Sequence, residues 1–253
     1  MRNRAGSGVC GGSACAAGLR LRALRSPAVR IAAFVAAVCG LAYAIPARTQ
    51  SGGQSSPASV VVCANLVYAG DKTSQCFSDE FLRLLGQQTR IRTDPHFHRV
   101  RLDGDELTGF PFAVLTGEGA FHLTDKERQA LRSYLAHGGF VLASAGCSDP
   151  EWTKSFRAEL VHIYPGVQPV RLKLDHPLFR TVYKIDSLAT VHAAGRGPAT
   201  IEAIMHRGRI VLLFCSDGLN DTSHSENCCC GGGDEVERAE YINANVLAYA
   251  LLH

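Results

Sequence analysis

Blocks of apolar residues, separated by polar segments, predict strands and helices in alternation. The nearly continuous apolar run 60–68 predicts a strand that is covered on both faces of a sheet. Phe81, Leu82 and Leu85 then follow at helical spacing, and Ser78 is placed to cap this short helix. A second strand is expected at 99–102.

The middle of the chain predicts a complete unit of strand, helix and strand. Its first strand, 111–115, stops at a glycine-containing turn. Thr124 and Glu127 have the spacing of a capping box, in which each side chain accepts a backbone N–H of the first helical turn. The second strand, 140–143, ends in the small residues 144–147. Ligands of open α/β sheets bind beyond strand ends of this kind.

The C-terminal part continues the alternation. We expect a helix at 152–164, two strands at 201–204 and 210–215 joined by a tight turn, and a last helix at 236–250. Alternating strands and helices indicate an α/β fold of three layers around a mostly parallel sheet.

Several predicted strands end in polar or small residues. Because the carboxyl ends of parallel strands share one edge of a sheet, these residues would meet there and form a ligand-binding crevice. The alternative is that they only make the turns every α/β domain needs. The candidate crevice residues are Asp71, Thr116, Gly117, Glu118, Ser144 and Asp217.

The first 45 residues have the composition of a targeting segment. Residues 1–30 contain six arginines and no acidic residue, and the apolar run 31–45 ends in a small-x-small pattern that signal peptidases cut. About 15 apolar residues are short for roughly 30 Å of hydrocarbon, which favours a cleaved signal peptide. An uncleaved anchor, held in the inner membrane through 31–45, stays open. Both alternatives predict an exported domain, periplasmic or otherwise extracytoplasmic.

The charge of the chain changes once this leader is set aside. The whole chain carries +3, and the six leader arginines account for more than all of it, leaving −3. No stripe of basic and aromatic residues remains, so we expect no nucleic-acid partner. Residues 46–59 are rich in Ser, Gly, Gln and Pro and predict a flexible linker. The folded domain is then 60–253.

Seven of the ten cysteines lie after the leader. An odd number leaves at least one thiol unpaired or bonded to another chain. Cys228, Cys229 and Cys230 are adjacent, whereas zinc motifs usually separate paired cysteines by two to four residues. We therefore expect no metal and favour a disulfide from this triplet to Cys147 or Cys215. The alternatives are a flexible loop of unpaired cysteines and a metal set of His224 with two cysteines.

Several short motifs occur along the predicted domain in a fixed order. They are FPF at 110–112, LTGEG at 115–119, LRSYL at 131–135, GGF at 138–140, DHPLF at 175–179 and NVLAYAL at 245–251, with Tyr183, Gly208, Arg209 and Asp217. Together these motifs resemble the bacterial family known as domain of unknown function 4159. The resemblance implies a flavodoxin-like fold of the class I glutamine amidotransferase type, and it implies no activity.

The same resemblance suggests a catalytic triad. Cys147 lies in a strand, turn and helix context like that of a nucleophile elbow, and amidotransferases of this fold complete their triad with a His and a Glu after the final strands. This assigns Cys147 as nucleophile, His224 as base and Glu226 as its orienting group. The alternative is that Cys147 is a small structural or incidental cysteine. His176, before a proline, is expected to bond backbone and fix a loop.

The leading hypothesis is a non-catalytic module that binds an unknown small-molecule or protein ligand, or takes part in an envelope assembly. It rests on the lack of a complete elbow, a phosphate loop or a dinucleotide fingerprint, and it includes no cofactor. The alternative is a cysteine-dependent amidase or hydrolase that uses Cys147, His224 and Glu226. A binding module switched through reversible disulfides of Cys228 to Cys230 is a third hypothesis.

Overall fold

The computed structural model describes residues 59–191, 197–225 and 235–253. The chain divides into two units, 1–53 and 54–253, and every described residue belongs to the second. No described helix has the length and apolarity needed to cross a membrane. The leader, with its apolar run 31–45, lies outside the described residues, so signal peptide, anchor and export stay predictions.

Seven strands of the described residues form one mixed sheet in the order β2-β1-β3-β4-β7-β6-β5. The five strands from β2 to β7 run parallel, while β6 is antiparallel to both β7 and β5. The predicted mostly parallel sheet is confirmed. The strands are β1 (Cys63–Val67), β2 (His98–Arg101), β3 (Phe112–Gly117), β4 (Phe140–Ala145), β5 (Val170–Arg171), β6 (Ile201–His206) and β7 (Arg209–Cys215).

Helices cover both faces of this sheet, which gives the predicted three layers. One core packs the first and last helices on one face, and a second core packs the two middle helices on the other. The strands β3 and β4 are buried along their whole length, because both of their faces are covered. The helices are α1 (Glu80–Gln88), α2 (Asp125–Ala136), α3 (Pro150–Ile163) and α4 (Ala239–Leu252).

Two helix starts differ from the sequence prediction. The N-cap position of α1 is held by Asp79 and not by the predicted Ser78. The Ser78 hydroxyl still accepts the backbone N–H of Glu80, the first helical residue, at 3.1 Å. Val236 was expected in the last helix, yet it lies in a bridge with Thr190. The helix starts later because Arg238 has a left-handed backbone, with φ of 56°.

Two local predictions are confirmed by hydrogen bonds. The ring of His176 accepts the backbone N–H of Leu178 at 3.2 Å and so caps a short 3₁₀ helix. At α2, Thr124 and Glu127 form the capping box. Glu127 is buried and does more than cap the helix, since its second carboxylate oxygen accepts the backbone N–H of Ala69 at 2.6 Å. One side chain therefore fixes both the start of α2 and the loop after β1.

We predict that Glu127→Ala lowers the free energy of unfolding by about 2–4 kcal/mol, because it leaves the amides of Ala69 and Thr124 without acceptors. Urea unfolding followed by circular dichroism measures the change. Glu151→Ala is the matched control: this glutamate also lies in a first helical turn but is exposed, so we expect a change within about 0.5 kcal/mol. Equal effects of the two substitutions would contradict the role given to Glu127.

Candidate functional site

The predicted crevice residues lie in the last residues of β3 and β4 or in the loops after β1, β3 and β7, and these four strands are parallel neighbours. Their carboxyl ends therefore lie at one edge of the sheet. The side chains differ sharply in accessibility, however. Thr116 and Ser144 are fully buried, Asp217 is half-buried, and Asp71 and Glu118 are exposed. Only the last three are placed to contact a ligand from solvent, and the assignment of the whole set to a ligand stays a prediction.

The edge between β1 and β3 is filled by aromatic side chains. The Tyr68 hydroxyl donates to the carbonyl oxygen of Thr116 at 3.1 Å and accepts from the indole N–H of Trp152 at 2.5 Å. Phe121 packs edge-on against Tyr68. A Cβ on Gly117 would come within 2.5 Å of the Tyr68 hydroxyl, so glycine is required here for close packing. This part of the predicted crevice is closed by the protein itself.

Polar groups on the rim of this closed region contact one another. The Lys72 ammonium donates to the carbonyl oxygen of Glu118 at 2.7 Å, and the sulfur of Cys147 lies 3.3 Å from a Glu118 carboxylate oxygen. The Asp71 carboxylate is fully exposed and lies 3.9 Å from the Arg101 guanidinium. The rim therefore carries positively and negatively charged side chains that reach solvent.

The described cysteines occur in two oxidation states. Cys76 and Cys147 each take part in a disulfide bond. Cys63 and Cys215 are buried free thiols, and burial raises the pKa of each to about 12. A disulfide sulfur is not a nucleophile, so the predicted role of Cys147 in catalysis applies only to reduced protein.

Of the other two members of the predicted triad, the structure describes only His224. Glu226 lies outside the described residues, as do Cys228, Cys229 and Cys230. His224 is described, and its Nδ1 lies 2.7 Å and 2.9 Å from the two carboxylate oxygens of Asp221. This hydrogen bond to Asp221 raises the pKa of His224. Among the described residues, the carboxylate that contacts His224 is thus Asp221, three residues before it, and the roles of Glu226 and His224 in a triad stay predictions.

The segment after β7, Gly218 to Asp221, is anchored to several elements. The buried hydroxyl of Ser144 donates to the Asn220 side-chain oxygen at 2.6 Å and accepts the backbone N–H of Leu219 at 2.8 Å. The Asn243 amide on α4 donates to the Leu219 carbonyl at 2.8 Å. The Asn220 carbonyl accepts the backbone N–H of Ser78, and the Gly218 carbonyl accepts that of Val236. Ser144 therefore positions this segment.

Asp221 ends this segment beside a cavity. The cavity, of about 350 Å³, is lined by polar residues of the loop and of the start of α4. Burial raises the pKa values of Glu235 and Glu240, and the negative charge of Asp221 adds to both shifts. The titratable or charged lining residues are Asp221, His224, Glu235, Arg238 and Glu240.

Sequence reasoning missed this carboxylate group and the disulfide at Cys76. Asp221 precedes His224 by one helical turn, which was a readable signal for their contact. Glu235 and Glu240 come from a different part of the chain, and nothing in their spacing indicates that they line the same cavity. The fold brings them together because Val236 returns to pair with the segment after β7.

Comparison with known proteins gives a family and no activity. A family model described as "Domain of unknown function (DUF4159)" matches residues 63–251. This confirms the resemblance seen in the motifs, and the match runs from the first residue of β1 into α4. No curated protein matches the chain at a significant level.

We predict that Gly146→Ala destabilises the edge of the sheet, because a Cβ there would come 2.8 Å from the Gly117 carbonyl oxygen and 2.9 Å from the Glu118 side chain. The expected loss is about 1–3 kcal/mol in urea unfolding. Gly109→Ala is the matched control, since a Cβ at Gly109 meets no atom within 4 Å. A Gly146→Ala protein as stable as the control would show that this turn is not closely packed.

Proposed function

Because the chain belongs to the family described as domain of unknown function 4159, and that description states no activity, we propose that it is an exported, non-catalytic ligand-binding domain. The ligand is an unidentified small molecule or protein, and a role in an envelope assembly fits the same proposal. The observation that carries it is the disulfide at Cys147, the only nucleophile assigned from the sequence.

The finer fold assignment supports a binding edge. We propose kinship with flavodoxin-like folds of the class I glutamine amidotransferase type. The five parallel strands lie in the order β2-β1-β3-β4-β7, which is the flavodoxin-like order 2-1-3-4-5 with β7 as the fifth strand. In doubly wound sheets of this order, ligands bind at the carboxyl edge of the strands near β1 and β3. Here the interior of that edge is filled by Tyr68 and Trp152, so a ligand would contact the rim.

The rim offers charged groups suited to a polar ligand. Asp71, in the loop after β1, and Glu118, directly after β3, are exposed. Lys72 follows Asp71, and its ammonium donates to the carbonyl oxygen of Glu118. Such groups bind through solvent-exposed ion pairs and hydrogen bonds, which favour specificity over affinity. Thr116, Gly117 and Ser144 would support the rim from beneath, because they are buried.

The disulfides also support export. Disulfides form and persist in oxidising compartments such as the bacterial periplasm, and they are rare in the cytosol. Cys76 and Cys147 are both oxidised in a domain that follows a predicted signal segment. The two observations are independent, since one concerns sulfur atoms in the fold and the other the composition of the leader.

The alternative, a cysteine-dependent hydrolase, needs Cys147 reduced and a base within reach. The His224–Asp221 pair has the form of a base held by a carboxylate. The Cys147 sulfur, however, lies beside the Glu118 carboxylate. The negative charge of this carboxylate would disfavour the thiolate that a hydrolase needs. The hydrolase therefore stays the second hypothesis.

Cysteine labelling tests the proposal in the full chain. We expect Cys147 and Cys76 to react with an alkylating reagent only after reduction, because they are disulfide-bonded. Cys63 and Cys215 are internal controls: they should react only after unfolding, and without reductant, because they are buried free thiols. Peptide mass mapping after each of the four treatments, native or unfolded and reduced or not, measures these outcomes.

Rapid labelling of Cys147 in native, unreduced protein, with an apparent pKa well below about 8.5, would contradict the proposal and favour the hydrolase. Mapping of the unreduced peptides also tests the predicted disulfide from Cys228, Cys229 or Cys230 to Cys147. A Cys147→Ser protein should label one further cysteine without reductant, the former disulfide partner of Cys147, while Cys63 and Cys215 keep their labelling classes if the fold is unchanged.

A further inference from the structure

The cavity beside the end of β7 brings together the donor atoms of a metal site. Asp221, His224 and Glu240 each offer one ligand atom, and these atoms lie within 4.8 Å of one another. It is the one such group of three found among the described residues. Metal ligands at about 2.0–2.2 Å from a cation lie roughly 3 Å apart, so small side-chain rotations would suffice to close the set.

Glu235 adds an independent observation. It lines the same cavity and is only 6% exposed. It directly precedes Val236, whose backbone N–H donates to the Gly218 carbonyl. One of its carboxylate oxygens accepts from the amide and hydroxyl of Thr222, at 3.2 Å and 2.8 Å, while the other is buried with no hydrogen-bond partner. A buried carboxylate oxygen without a donor is costly, and a bound cation would satisfy it.

The site is held in place before any ligand arrives. Asp221 has a left-handed backbone, with φ of 54°, and is almost fully buried. The Ser223 hydroxyl donates to one of its carboxylate oxygens at 2.9 Å, and the residue before Asp221, Asn220, accepts a hydrogen bond from Ser144. Glu240 lies in the first turn of α4. Rigid elements therefore position donors from both sides of the cavity.

The charges favour a cation. Asp221, Glu235 and Glu240 are three acids, against Arg238 and His224 on the same lining. The Arg238 guanidinium stacks over the Tyr241 ring at 4.4 Å, and its charge also acts on Glu240, so it offsets part of the negative charge. One imidazole nitrogen with carboxylate oxygens suits a first-row transition metal, whereas Ca²⁺ and Mg²⁺ take oxygen ligands alone.

We propose that this cavity binds one divalent first-row transition-metal cation through Asp221, His224 and Glu240. The Glu235 carboxylate lies outside the set of atoms within 4.8 Å of one another and would turn toward the cation as a further donor. The cation takes the place of the hydrogen between His224 Nδ1 and Asp221, and the bound imidazole is neutral with its one proton on Nε2: an imidazolium releases its Nδ1 proton to solvent, and a neutral ring moves that proton to Nε2. The proposal does not depend on the rim described above or on the oxidation state of Cys147, so failure of either leaves the other standing.

Titration calorimetry with Mn²⁺ tests the proposal in the untagged, chelator-treated, unreduced full chain. Mn²⁺ is the probe because it prefers carboxylate oxygens over thiolate, so the cysteines do not compete. We expect one site per chain, and Asp221→Asn or Glu240→Gln should weaken it by at least about 10-fold, as loss of even an outer partner of a metal site does. Glu235→Gln should weaken it as well.

The matched control is the pair His98 and Asp94. This pair has the same histidine-to-carboxylate contact, at 2.9 Å, and belongs to no group of three donors among the described residues. His98→Ala should leave Mn²⁺ affinity unchanged, whereas His224→Ala should lower it. Asn is tolerated in left-handed conformations, so Asp221→Asn should keep the fold, and thermal unfolding in chelator checks this.

Two outcomes would overturn the proposal. The first is wild-type Mn²⁺ binding weaker than about 1 mM. The second is binding that Asp221→Asn and Glu240→Gln leave unchanged, which would place the cation elsewhere. Should Asp221→Asn fail to fold, Glu240→Gln decides alone, because Glu240 is only half-buried.

Discussion

The hydrogen bonds of the buried Ser144 hydroxyl are the constraint on which the carboxyl edge depends. Helices cover both faces of the sheet, so a polar side chain at the end of β4 has no water to bond. Ser144 meets this requirement by donating to Asn220 and accepting from the backbone N–H of Leu219. The requirement of one buried hydroxyl thus fixes the course of the chain after β7.

This course divides the edge into two halves with different properties. On the side of β1 and β3, Tyr68, Trp152 and Phe121 fill the space, and only rim charges reach solvent. On the side of β7, the fixed segment presents Asp221 to a cavity that α4 completes. The disulfide at Cys147 lies between the halves and favours a structural role for the turn after β4. Binding chemistry is therefore best sought beside β7 and on the rim.

Local features of the fold could be predicted from the sequence, because they depend on near neighbours. The capping box of Thr124 and Glu127, the ring of His176 on a backbone amide, and the order of strands and helices are of this kind. The buried state of Thr116 and Ser144 could not be predicted, since polar residues at strand ends usually face solvent in turns.

Contacts between distant residues account for most of what the sequence did not indicate. Ser144 and Asn220 are 76 positions apart, and only the strand order, with β7 beside β4, makes them neighbours. Glu235 and Glu240 lie near Asp221 because Val236 pairs with Gly218 in the segment after β7. The resemblance singled out His224 and proposed Glu226 as its partner, which stays a prediction, whereas the contact with Asp221, three residues before it, was not proposed.

The most direct test of this account is the anomalous diffraction of a crystal of the protein soaked in Mn²⁺. The account predicts one strong peak per chain within coordination distance of Asp221, His224 and Glu240, with the Ser144 hydroxyl still bonded to Asn220. A peak at the rim beside Asp71 and Glu118, or no peak at all, would contradict it.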